Sequence, residues 1–176
     1  MSVAPIRLRG PGAKQPFHVV LVEPEIPPNT GNIARLCGAT CCPLHLVGKL
    51  GFQIDEHAVR RAGLDYWHLV DVRTHPDLAS AEANIAGEAK ASPARSWLFS
   101  DKATRSYLDV DFKVGDALVF GKESVGLSEQ LLAERCDQIV GIPMPGAVRS
   151  LNLANAVAIA VYEALRQNEL LRVEGS

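Results

Sequence analysis

Short apolar runs rich in Val, Leu and Phe recur along this chain, and segments with helical spacing separate them. Phe17-His-Val-Val-Leu-Val22, Leu44-His-Leu-Val47, Ser96-Trp-Leu-Phe99 and Ala117-Leu-Val-Phe120 are the clearest, with further runs over Trp67–Val72 and Gln138–Ile142. Runs this short and continuous read as strands covered on both faces. Prolines 24, 27 and 28 exclude regular structure over Glu23–Pro28. The helix expected next would be capped by Asn29, Thr30 or Asn32, with Ile33, Leu36, Cys37 and Thr40 on one face. Asp55–Ala62 reads as a short helix closed by Gly63. Another runs from Thr74 and Pro76 to about Ala89, and Ser128 opens one to about Glu134. Ser150 is the expected cap of a long last helix to about Asn168, with Leu151, Ala154, Ala158, Val161 and Leu165 on its apolar face. Such alternation specifies an α/β fold, a mainly parallel sheet with helices on both faces.

A chain of 176 residues is expected to form one domain, here residues 17–170, and to bury about 70% of its surface. Residues 1–16 read as a mobile basic arm and 171–176 as a tail. Hydrophobic residues make up 47% and charged residues 22%, which excludes a disordered chain, a collagen and a coiled coil. A formal charge of −2 excludes a histone-like polycation but leaves room for a local basic patch. Cys37, Cys41, Cys42 and Cys136 form no C-x-x-C pair, so no metal site is expected, and they read as reduced thiols of a cytoplasmic protein. No apolar run reaches membrane-spanning length, and the basic start is not a secretory signal.

Ligands of open α/β sheets bind beyond the carboxyl ends of the strands. Three segments that leave strands combine Gly with amide or charged side chains: P-P-N-T-G-N-I-A-R (27–35), F-G-K-E-S-V-G-L (120–127) and I-P-M-P-G-A-V-R-S-L-N-L-A-N (142–155). Gly121-Lys122-Glu123 is no phosphate-binding P-loop, because Glu rather than Ser or Thr follows the lysine. No dinucleotide fingerprint follows the first strand, and no G-x-S-x-G elbow or H-E-x-x-H spacing occurs. His18 and His45 fall inside strands and read as packed residues.

Taken together and in this order, the three segments resemble the motifs of the SPOUT class of RNA methyltransferases. They are most similar to the TrmL group, which methylates the ribose of the tRNA wobble nucleotide. E-P-E-I-P-P-N-T-G-N and R-R-A-G-L-D-Y are also similar to that group, and the likeness spans roughly residues 17 to 168. It implies a sheet whose C-terminal segment is threaded into a trefoil knot, an exception to the usual rule of unthreaded connections. It further implies a homodimer, S-adenosylmethionine as cofactor and tRNA as partner.

By that resemblance, Phe99, Gly121, Ile142 and Ser150 would hold the cofactor, with Leu127, Met144 and Leu151 as additions. Aliphatic walls suit a flat apolar adenine, and Gly121 would let the backbone approach it. Asn29, Arg35, Glu123 and Asn152 are the candidate catalytic residues. Arg35 would fork onto substrate phosphate or ribose. Glu123 would either orient the ribose or accept from buried backbone donors and hold the loops together. Asn155 would stand behind Asn152. No residue is an evident general base. Arg60, Arg61, Lys102, Arg105 and Arg149 would supply RNA contacts, with Lys122 and with Arg7, Arg9 and Lys14 of the arm. The second segment reads Gly-Lys-Glu-Ser-Val, where many of the group have Gly-Pro-Glu-Thr-Arg, and Pro145–Arg149 also departs from the usual pattern. The alternatives are methylation of another tRNA or rRNA site, a non-catalytic RNA-binding dimer of the same fold, and a cysteine hydrolase using Cys37 or Cys136.

Overall fold

In the computed structural model, residues 13–51, 67–88 and 94–172 are described. The strands are β1 (His18–Val22), β2 (Leu44–Val47), β3 (Val72–His75), β4 (Ser96–Phe99), β5 (Ala117–Phe120) and β6 (Ile139–Val140). They form one sheet in the order β3-β2-β1-β5-β4-β6, and every pairing is parallel. The helices are α1 (Pro27–Thr40), α2 (Leu78–Glu88), α3 (Glu129–Glu134) and α4 (Leu153–Gln167).

Alternate strand residues face opposite layers, and each layer has its own core. Val19, Leu21, Leu44, Leu46, Phe99, Leu118 and Phe120 pack with Ile33 and Cys37 of α1 and with Val157, Val161 and Ala164 of α4. Val20, Val47, Leu98 and Val119 pack with Ala81 and Ile85 of α2 and with Leu132 of α3. The four central strands are buried along nearly their whole length, as their continuous apolar runs require.

Several boundaries differ from the sequence expectation. Pro27 and Pro28 do not stand outside α1 but open it, with Ile26 as N-cap and no side-chain cap bond. Proline fits there because the first N–H groups of a helix have no partner within it. Trp67–Leu69 is a 3₁₀ turn, and the edge strand begins only at Val72, where it comes into register with Leu44. β6 is two residues long. Asn152, not Ser150, caps α4: its Oδ1 accepts from the N–H groups of Ala154 at 2.9 Å and Asn155 at 3.4 Å. The helix expected over 55–62, Arg60, Arg61, Arg7 and Arg9 lie outside the described residues.

The connection from β4 to β5 is hydrogen-bonded to the segment that leaves β6. Gly141 donates to the Arg105 carbonyl at 2.9 Å, and its own carbonyl accepts from Tyr107 N–H at 2.9 Å. A Cβ at Gly141 would meet Ala103 Cβ at 3.0 Å and the Ser100 carbonyl at 3.1 Å, so only glycine passes without displacing that connection. Further along the same connection, Phe112 N–H donates to Gln167 at the end of α4, and Asn168 donates back to the Phe112 carbonyl. These bonds tie the 100–116 connection to the segment that leaves β6 and to the end of α4.

Candidate active site

The three polar segments meet at the carboxyl ends of β5, β4 and β6. They enclose a cleft of about 850 Å³, within the size range of small-molecule sites. Its apolar side is built by Phe99, Phe120, Leu127, Ile142, Leu151 and Ala156. Phe99 and Phe120 stack at 4.6 Å between ring centroids, which fixes that floor.

Gly121 lines the cleft. A Cβ there would lie 2.1 Å from the backbone carbon of Gly126 and 2.2 Å from the Leu127 nitrogen. The 121–127 loop closes on itself at that point, a packing requirement for glycine that the sequence expectation did not include.

A hydrogen-bonded chain ties the three segments together. Asn152 Nδ2 donates to Asn29 Oδ1 at 3.0 Å, and Asn29 Nδ2 donates to Glu123 Oε1 at 3.0 Å. The Glu123 carboxylate also accepts the backbone N–H groups of Glu25 at 2.8 Å and Ile26 at 3.1 Å. Glu25 reciprocates, accepting the backbone and hydroxyl of Ser124 at 3.0 Å each. Lys122 Nζ closes the seam on Glu23 at 2.7 Å. Burial alone would raise the Glu123 pKa, but the donors from Glu25, Asn29 and Ile26 outweigh it and hold the carboxyl below its ordinary value. Of the two roles open to Glu123, this geometry is that of a clamp: an ionised acceptor already engaged by neighbouring donors. The Asn29 side chain is 7% exposed, so its placement is set by this chain of bonds.

All seven expected cofactor residues, Phe99, Gly121, Leu127, Ile142, Met144, Ser150 and Leu151, line the one cleft. Asn29, Glu123 and Asn152 line it too, as do Lys102 and Arg149. Arg35 does not. It lies on the exposed side of α1. Six residues of helix carry it about 9 Å and some 240° around from Asn29, so the two cannot share a wall within one chain. Asn155 is exposed and also absent from the lining. Lys122 is engaged with Glu23 rather than left for RNA. Arg105 lines a second, smaller pocket instead.

Ser124 and Val125 of the second segment also face the cleft, and so do Ser100, Asp101 and Glu129, which lie outside all three segments. The pairing of β4 between β5 and β6 brings the 100–102 turn to the same mouth.

Burial pushes the Cys37 thiol well above its ordinary value, and Cys42 is raised to about 11. Neither supplies a thiolate near neutrality, and this removes Cys37 as a nucleophile. Among the described residues no group of His, Cys, Asp and Glu is arranged to hold a metal ion, and no helix is long and apolar enough to cross a membrane.

Comparison with known proteins agrees with this geometry. Residues 16–162 match the SpoU rRNA Methylase family. A tRNA (cytidine(34)-2′-O)-methyltransferase of Saccharophagus degradans is 47% identical over 152 residues, covering 86% of this chain and 95% of that protein. The enzyme of the same name from Yersinia pestis is 46% identical over 154 residues, covering 86% and 93%. A solved structure described as giving insight into the 2-OH methylation of C/U34 on tRNA superposes with a TM-score of 0.77 at 46% identity, over 87% of this chain and 96% of that one. The SpoU methyltransferase AviRb of Streptomyces viridochromogenes, solved in complex with AdoMet, superposes with a TM-score of 0.72 at 28% identity, over 90% of this chain and 63% of that one. With the family match over residues 16–162 and relatives 46–47% identical over nearly their whole length, this chain, with its parallel sheet and three-loop cleft, belongs to the SpoU methylase family.

Proposed function

We propose that this protein transfers a methyl group from S-adenosylmethionine to the ribose 2′-hydroxyl of the tRNA wobble nucleotide, a cytidine or a modified uridine. One observation carries this reading: three sequence-distant loops line a single cleft and are bonded to one another through Asn152, Asn29 and Glu123. High identity to named cytidine(34) methyltransferases over nearly their full length supports the choice of substrate.

The residues present suit the cofactor. Phe99, Leu127, Ile142 and Leu151 offer apolar walls for an adenine, and loop backbone offers donors and acceptors at its edge. The cofactor, when bound, supplies an electrophilic methyl on a sulfonium. The protein's share is alignment, which can lower a barrier by several kcal/mol. Each primary amide carries two N–H donors, and Asn29 and Asn152 each spend one on the loop-to-loop chain. The second N–H of each serves to orient the ribose or cofactor. Glu123 is the positioning residue that holds Asn29. Arg149 at the rim and Arg35 on α1 serve substrate phosphates.

The protein acts as a homodimer in the cytoplasm, where its tRNA substrate is. The outer face of α4 supports self-association, because Ile159 and Tyr162 lie three residues apart on it and are 38% and 48% exposed.

Nucleoside mass spectrometry of tRNA incubated with the protein and S-adenosylmethionine tests the proposal. The expected product is a 2′-O-methylated pyrimidine at the wobble position. Methylation elsewhere in tRNA, or in rRNA alone, would overturn the substrate, and cofactor binding without any product would favour a non-catalytic RNA-binding dimer.

A further inference from the structure

The turn after β4 separates the cleft from a second pocket. Ser100, Asp101 and Lys102 face the cleft, while Lys102, Ala103, Thr104 and Arg105 face a pocket of about 360 Å³ whose far side is Cys136, Asp137 and Ile139. Lys102 belongs to both walls. The two pockets therefore share a wall at this turn.

The chemistry of the pocket suits a nucleotide better than a free anion. Lys102 and Arg105 bring two positive charges against the single carboxylate of Asp137. The Lys102 ammonium is 57% exposed and pairs with the 88% exposed Glu129, a bond of small worth that a phosphate can replace. Arg105 is held more firmly. Its guanidinium lies 5.5 Å from the centroid of the nearly buried Trp97 ring, and one N–H donates to the Asp109 carbonyl at 3.0 Å. A planar guanidinium held in this way presents its N–H fork in a fixed orientation, the arrangement that binds phosphate oxygens in pairs. Asp137, which accepts the weak Cys136 thiol donor at 3.6 Å, is a carboxylate that can accept from a ribose hydroxyl or an exocyclic amine. Ala103 and Ile139 add a small apolar surface for a base.

We infer that this pocket binds the nucleotide next to the methylated one in the RNA strand, with Arg105 and Lys102 on its phosphate and Asp137 on its sugar or base. The inference rests on the RNA-methyltransferase reading and gives that reading a second contact point. Anchoring a neighbouring nucleotide would fix the reacting ribose in register.

The test compares the full-length wild type with Arg105→Ala and Thr104→Trp. Dissociation constants for a tRNA transcript are measured across a salt series, alongside S-adenosylmethionine affinity by calorimetry. Arg105→Ala should weaken RNA binding about tenfold and reduce the slope of log K against log salt by nearly one. Thr104→Trp fills the pocket without changing charge, so it should weaken RNA binding severalfold with the slope intact. Both variants should bind S-adenosylmethionine as the wild type does, which shows that they are folded. Wild-type RNA affinity in either variant would overturn the pocket, as would a wild type that binds no RNA. Methyl transfer by the wild type is scored separately, so a failed pocket and a failed function are told apart.

Discussion

Glu123 carries more of the site's order than any other side chain, because three donors from the start of α1 end on its carboxylate. Glu123→Ala leaves the Glu25 and Ile26 N–H groups and the Asn29 amide without that acceptor. Each hydrogen bond to a charged group is worth about 1.5–3 kcal/mol, less where water can substitute. The expected loss is about 1–3 kcal/mol of stability, read as a lower urea midpoint, together with at least tenfold weaker S-adenosylmethionine binding. The pH dependence separates a clamp from a base. With its folded pKa held below the ordinary carboxylate value, Glu123 contributes stability that is present above that value and is lost only as pH falls through the lowered pKa. The transfer rate should show no inflection from Glu123 between pH 6 and 8, and a Glu123-dependent inflection there would assign it proton transfer. Gly121→Ala tests the loop itself. The added methyl has no room against the Gly126–Leu127 backbone, so about 2–3 kcal/mol of stability and most cofactor affinity should be lost.

Among the elements, α4 offers a clean separation of capping from site architecture. Asn152 caps the helix through Oδ1 and reaches Asn29 through Nδ2. Asn152→Ser keeps a good cap and removes the reach, so the melting temperature should hold while methyl transfer falls at least tenfold. Asn152→Ala removes both, with about 1 kcal/mol of stability lost as well.

The β3 edge of the sheet makes a different claim. His18, His45 and His75 form a diagonal ladder across β1, β2 and β3, with ring nitrogens 3.0 and 2.9 Å apart. Desolvation lowers the His18 pKa to about 4, and desolvation with the two neighbouring rings lowers that of His45 to about 3. Arg73 reinforces these shifts, while Asp71 opposes them at both rings and Glu88 at His18. Both groups are depressed below the ordinary histidine value, so the unfolded chain binds more protons under acid conditions. The ladder's stability is present above about pH 6.5 and is lost as pH falls toward 4, by at most about 1.4 kcal/mol per pH unit for each ring. Urea midpoints at pH 7 and pH 5 should differ in the wild type, and the difference should shrink in His45→Asn.

Across the molecule, what could be read in the sequence follows the range of the interactions involved. Leu44–Val47, Ser96–Phe99 and Ala117–Phe120 are legible as strands because burial on both faces leaves only apolar positions. The convergence of the expected cofactor residues on one cleft is legible through motif order, since the loops all leave carboxyl ends of strands. The start of α1 was misread because proline signals both a break and a first turn, and only the tertiary seat of the helix decides. Ser150 and Asn152 are equally good caps by type, and the reach from Asn152 to Asn29 selects between them. Neither the Lys122–Glu23 pair nor the histidine ladder is visible locally. The first joins residues 99 apart, and the second depends on strand register.

We propose that one cleft, closed by three loops, holds the methyl donor. Calorimetric titration of S-adenosylmethionine into the wild type and into Ser150→Trp separates this site from any other. Ser150 is exposed at the cleft wall, so a bulky ring there should fill the space without unsettling the core. The expected result is one cofactor bound per wild-type chain and binding lost in a folded Ser150→Trp. Undiminished binding in that variant would place the donor somewhere else and contradict the account.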